Sequence, residues 1–222
     1  QMSNQYIERK LIYNFFETLN RSQTAYILIK NIGQELPDRL RDGKDIDILV
    51  AGRDRRRFED AMLSSGFLKR IPPMGVVNGY RFGYQLPEYQ FWQKTGIAQT
   101  FYIDACFRLM CRSLTPQCWV PLDDSINRRA WEEKVWDETL QCWIMDEKTL
   151  LVYLLARCVF DKHVVSDAYR QEIEKRKQWL YDETVQRMLR TVFYRFTGRI
   201  SEMITAGAYD AVFETYLQFS DY

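Results

Sequence analysis

The sequence is poor in the residues that build metal–thiolate sites. It has one histidine, His163, and five cysteines, Cys106, Cys111, Cys118, Cys142 and Cys158. That cysteine number is odd and no pair has C-x-x-C spacing, which argues against a structural zinc site and for free thiols in a reducing compartment. No run approaches the roughly 18 apolar residues of a membrane-spanning helix, and the first residues carry no signal-peptide pattern. A cytoplasmic protein without a membrane span is expected. Charge of one sign is also lacking: 31 Lys and Arg face 30 Asp and Glu, a net charge of +1. There is no surplus for general polyanion binding, so strong nucleic-acid binding is not expected. Repeats and low-complexity linkers are absent too.

What remains is an ordinary globular composition. The 222 residues are 46% apolar and 27% charged, enough for a sizeable core in one or two domains. Ile7, Leu11, Phe15 and Leu19 recur every fourth residue and predict an amphipathic helix over 3–20. "AYILIK" (25–30) reads as a strand, 31–44 as a loop rich in turn residues, and "DIDILV" (45–50) as the next strand. A helix with Asp54 as N-cap and Gly66 near its end follows. "FLKRI", "GYRFGYQL", "EYQFWQK" and "QTFYIDACF" read as strands of a meander. Residues 107–145 look irregular, apart from a short strand at "LQCWIM". From Asp146 the pattern is helical: a run capped by Asp146, another capped by Ser166 or Asp167, then "DETVQRMLRTVFYRF" and "DAVFETYLQF". The expected class is α+β, with a mixed-sheet domain over 1–145 and a helical domain over 146–222.

Asp45 and Asp47 stand out. Asp is disfavoured in strands, and residues i and i+2 of a strand share a face, so two carboxylates are held side by side. A divalent ion such as Mg²⁺ or Mn²⁺ removes the repulsion and takes carboxylate and phosphate oxygens readily. The plainer alternative is a pair of solvated acids at a strand start. Asp104, inside the apolar strand "FYIDACF", is a third acid that needs a partner or a metal. If its strand lies beside 45–50, three carboxylates converge, two to hold metal and the third to take a proton from an attacking hydroxyl.

"DIDILV" resembles the Asp-x-Asp motif of the nucleotidyltransferase fold, which follows an apolar-Gly-Gly/Ser pattern by about ten residues and precedes a third acid. Ile32, Gly33 and Gln34 precede Asp45-Ile46-Asp47 in this way, and Asp104 stands where the third acid falls. "YILIKN…LP…GKDIDILV", "F.ID" and "LLARCVFDK" are similar to nucleotidyltransferase-like proteins found with bacterial surface-polysaccharide genes, over roughly 24–175. The resemblance implies a nucleotidyltransferase-like mixed sheet with flanking helices. It also implies metal ligation by Asp45, Asp47 and Asp104, with Asp104 as base. The partners would be a nucleoside triphosphate and a small-molecule or sugar acceptor. The residues expected near the phosphates are Gly33 and Gln34, then Gly43 and Lys44 as sources of an amide and a charge, with Lys30 and Lys162 behind them. Gln34 departs from the family's Ser, and an alternative register, with Lys30-Asn31 at that place, lacks it too. A non-catalytic binding module and a phospho-alcohol transferase using a nucleotide-activated donor remain alternatives.

The other candidates have plainer readings. "RDRRR" (53–57) is a solvated helix face or a polyanion site. Asp161 to Ser166 end one helix and cap the next, and His163 is a surface or capping residue. Cys106 shares the face of Asp104 but has only His163 as a possible histidine partner. Trp119, Trp131, Trp136 and Trp143 are core rings or stacking platforms.

Overall fold

The computed structural model describes residues 5–70, 87–114 and 119–220. The predicted strand "GYRFGYQL" and Cys118 lie outside these. The chain forms two compact units, one of residues 1–109 with 134–145, the other of 110–133 with 146–222. The division is therefore not a single cut at 145, because residues 110–133 go with the helical unit and 134–145 return to the sheet.

The sheet unit is a seven-stranded mixed sheet in the order β3-β4-β5-β2-β1-β9-β8. Its strands are β1 (Tyr26–Leu28), β2 (Asp45–Val50), β3 (Phe67–Arg70), β4 (Tyr89–Lys94), β5 (Tyr102–Cys106), β8 (Val135–Asp137) and β9 (Cys142–Ile144). β3, β4 and β5 form the expected antiparallel meander. β5 then runs parallel to β2, and β9 parallel to β1. One face of this sheet carries Tyr26, Leu28, Ile46, Ile48, Val50, Trp92, Ile103, Ala105 and Cys142 into a core. Helix α1 (Arg9–Arg21) supplies Ile12, Phe15, Phe16 and Leu19 to that core, and α2 (Arg55–Ser64) supplies Phe58 and Met62. The acids of β2 fall on the other face by strand alternation.

Several expectations shift. α1 begins at Arg9 rather than residue 3, because Ile7 donates its N–H to the Leu40 carbonyl instead of entering the helix. Asp54 sits at the N-cap of α2, but its carboxylate accepts the Ala25 N–H at 2.9 Å and so ties the helix start to β1. Gly66 ends that helix with φ +80°, a conformation cheap only for glycine. The strand expected at 140–145 is β9, but the rest of 107–145 is not irregular: it holds β6 (Met110–Arg112), β7 (Trp119–Pro121), α3 (Asp124–Glu132) and β8. Three-residue strands are too short to show a period.

In the helical unit, Asp146 accepts the Lys148 and Thr149 amides and starts α4 (Glu147–Ala156), whose residues from Thr149 onward are all buried. A π-helical turn, Arg157–Lys162, continues it. Buried Asp161 in that turn pairs with Arg157 at 2.7 Å and accepts the Arg112 N–H at 2.7 Å, binding β6 to the helix. α5 (Asp167–Arg176) is capped by Ser166. The run from Asp182 forms α6 (Glu183–Phe193), which ends where Tyr194 takes φ 49°, and a further helix that was not expected, α7 (Phe196–Thr205), follows it. α8 (Val212–Gln218) closes the unit. Among the described residues no helix is long and apolar enough to cross a membrane.

Ile48 is fully buried at the centre of the sheet. Ile48→Ala should cost about 2–5 kcal/mol, the range for a large core side chain truncated to a methyl, seen as a lower urea midpoint of the sheet unit. The exposed Leu68→Ala on β3, the outermost of the described strands, should cost less than about 0.5 kcal/mol.

Candidate metal and phosphoryl-transfer site

The site is a product of strand register. The Gly43 N–H donates to the Thr100 carbonyl at 2.8 Å, and Asp42 Oδ1 accepts the Thr100 N–H. These two bonds clamp the start of β2 to the start of β5. The parallel pairing that follows sets Asp45 against Tyr102 and Asp47 against Asp104. Asp45 and Asp47 share a face by alternation and Asp104 joins them across the ladder, so ligand oxygens of all three lie within 4.8 Å of one another. Among the described residues this is the one place where three potential metal-ligating His, Cys, Asp or Glu side chains meet.

The surroundings are partly closed. The three acids are half-buried. Phe91 on β4 stands opposite Asp104, and its ring lies 4.9 Å from that of Tyr102, the neighbour of Asp45. Across β1, the Ile29 N–H donates to the Asp47 carbonyl at 3.0 Å, and the next residue, Lys30, forms an ion pair with Asp47 Oδ2. Burial pushes the Asp45 carboxyl above its ordinary value and the charge of Asp47 adds to this, while Lys30, a backbone hydrogen bond and Lys44 pull it back down. Three carboxylates with one paired ammonium carry a formal charge of −2, which a divalent ion neutralises. The donors are all oxygens, the set that suits Mg²⁺ or Mn²⁺.

The phosphate-side expectations fare unevenly. Gly33 and Gln34 form an exposed turn, both with positive φ, and the Gln34 N–H is engaged by the Asn31 carbonyl. Arg39 holds the carbonyls of Gly33 and Gln34. Gly43 does not offer its amide to a phosphate, because that amide is the clamp on Thr100. Lys44 is exposed and close enough to act on Asp45. Lys162 is exposed at the end of the π-helical turn and belongs to the helical unit, not to the unit that carries the acids.

The direct grip of Lys30 on Asp47 and the Tyr102–Phe91 flank went unread in the sequence. The one available signal was that Lys30 ends the strand neighbouring the acids. Cys106 is buried, and Trp136 and Trp143 pack edge to face at 5.3 Å on the β8–β9 hairpin. His163 caps the π turn with its ring stacked on Phe213. Arg53, Arg56 and Arg57 line one groove together with Asp54 and Asp60, while Arg55 lies over the Phe107 ring. A comparison with protein-family models gives no match, and no curated protein matches the sequence.

The raised carboxyl of Asp45 carries a sign. Below the ordinary value of 3.8 the group is protonated folded and unfolded alike. As pH rises toward the raised folded value, the folded state keeps a proton that the unfolded chain has released, so the metal-free protein loses stability. Asp45→Asn in EDTA should therefore be more stable than wild type at neutral pH, with the gain vanishing below pH 3.8. Paired melting curves across that window check this. Asp47→Asn should not behave so, because it removes the carboxylate with which Lys30 forms its ion pair.

Proposed function

We propose that the chain is a Mg²⁺- or Mn²⁺-dependent nucleotidyltransferase that moves a nucleoside monophosphate from a triphosphate to a hydroxyl of a small molecule or sugar. The observation that carries this reading is the convergence of Asp45, Asp47 and Asp104 on one sheet face within 4.8 Å, with the spacing of the nucleotidyltransferase pattern around them. Asp45 and Asp47 would hold the cation, with Asp104 beside them. Bound there, it supplies neutralisation of the phosphate charge and of the leaving pyrophosphate. Asp104 accepts the proton of the acceptor hydroxyl as that oxygen bonds to the α-phosphorus. The bond from the α-phosphorus to the bridging oxygen breaks and pyrophosphate departs. Tyr102 and Phe91 flank one side of the acids. An acceptor in surface-polysaccharide assembly follows from the resemblance.

A second reading, a nucleotidyltransferase-like module that binds without turnover, draws on the amides of Gln34 and Gly43, both spent on the protein's own backbone, and on the missing Ser.

Mn²⁺ with a nucleoside triphosphate at a hundredfold excess over the dissociation constant should stabilise the protein by about 2.7 kcal/mol, a rise in Tm of roughly 5–10 °C for a chain of this size. Asp45→Asn with Asp47→Asn should abolish the rise. Asp104→Asn should keep much of it while losing transfer of label from α-labelled triphosphate. Unchanged melting with all four ribonucleotides would end the enzymatic reading. A shift without any labelled product from a pooled small-molecule extract would favour the binding module.

A further inference from the structure

We propose that Lys30 is the exchangeable counter-ion of this site: it holds Asp47 while no divalent cation is bound, and its ammonium becomes a contact to the triphosphate once one is. The inference rests on the nucleotidyltransferase reading and adds to it a residue with two alternating partners.

Placement comes first. The Lys30 side chain is 12% exposed and that of Asp47 24%, so this is a mostly buried pair and not a loose surface contact. The backbone on both sides of Lys30 is pinned. Ile29 donates to the Asp47 carbonyl. Asn31 Oδ1 accepts the Leu36 N–H at 3.0 Å, closing the loop that follows. The stem of Lys30 is thereby rooted beside the acids, and its ammonium sits at the end of a flexible four-carbon chain.

Charge decides the exchange. One ammonium against three carboxylates leaves the site two charges short of neutrality. A divalent ion makes up that difference and competes for the same Asp47 carboxylate. An ammonium and a divalent ion on one carboxylate repel each other, so occupancy by the ion loosens Lys30. Lysine has three donors and no acceptor, so an anion brought beside these acids, the polyphosphate, can take its ammonium. The amides of Gln34 and Gly43 are already committed to Asn31 and Thr100, so a cationic side chain has to do the work that they and the family's Ser would share. A bound cation thus prepares the phosphate contact, and nucleotide binds tightly only after it.

Calorimetric titration of the full chain with Mn²⁺ alone, and then with magnesium tripolyphosphate, tests both halves without reference to activity or base. Lys30→Met, which keeps the apolar stem, should bind Mn²⁺ about tenfold tighter, since it removes a positive charge that competes for the same carboxylate. With the cation site already saturated by Mn²⁺, so that the tighter cation binding does not offset the loss, the same variant should bind magnesium tripolyphosphate about tenfold more weakly, having lost a charge-assisted contact. Lys30→Arg, which keeps the charge, should stay near wild type with Mn²⁺. If Lys30→Met does not fold, Lys30→Gln makes the same comparison. Unchanged or weaker Mn²⁺ binding in the neutral variant overturns the proposal. So does unchanged tripolyphosphate binding, because Lys30 would then have only one partner. A wild type that binds Mn²⁺ but no magnesium tripolyphosphate overturns the nucleotidyltransferase reading itself, while the Mn²⁺ comparison still decides whether Lys30 competes.

Discussion

Like charges held 4.8 Å apart or closer are the constraint around which the sheet unit is arranged. Three carboxylates on one face of a sheet repel one another, and they are more costly the less water reaches them. The fold nonetheless imposes the arrangement. Asp42 and Gly43 clamp the start of β2 to Thr100, the β2–β5 ladder then has one register, and that register puts Asp104 opposite Asp47. A one-residue slip would turn the whole apolar set of β2 away from its core, so the buried face holds the acids in place against their own repulsion. Stability on one face of the strand is converted into a concentrated negative site on the other.

The two faces of β2 divide the labour visibly. Ile46, Ile48 and Val50 point into the core with α1 and α2 behind them. Asp45 and Asp47 occupy the positions between, where the sheet meets Tyr102, Phe91 and Lys30. Lys30 offsets one charge and leaves the rest. A site built only for stability would match its charges within the protein, as buried Asp161 does with Arg157 and the Arg112 amide in the helical unit. The acid cluster instead keeps a net demand for positive charge, which is the condition for binding a cation tightly and for responding to one.

Much of this was legible in the sequence because its signals are local. Asp45 and Asp47 share a face through strand alternation alone, and Asp104 announced itself as an acid between apolar neighbours. The α+β class and the helical C-terminal pattern followed from periodicity. What escaped depends on pairings between distant segments. Lys30 meets Asp47 only because β1 lies antiparallel beside β2. Gly43 is a clamp and not a phosphate ligand because Thr100 arrives opposite it. The strand expected at 140–145 is β9, but β8 is three residues long and gains strand structure from the β9 it pairs with. α6 ends at Tyr194, which takes a positive φ, and α7 follows it as a helix that the sequence reading does not separate.

The central claim is that these acids stand together to hold a cation. It is tested most directly by the anomalous scattering of a crystal soaked in Mn²⁺. The account predicts one strong anomalous peak coordinated by carboxylate oxygens of Asp45 and Asp47, with the Lys30 ammonium drawn away from Asp47. A crystal soaked at saturating Mn²⁺ that shows no peak there, and Lys30 still seated on Asp47, would contradict it.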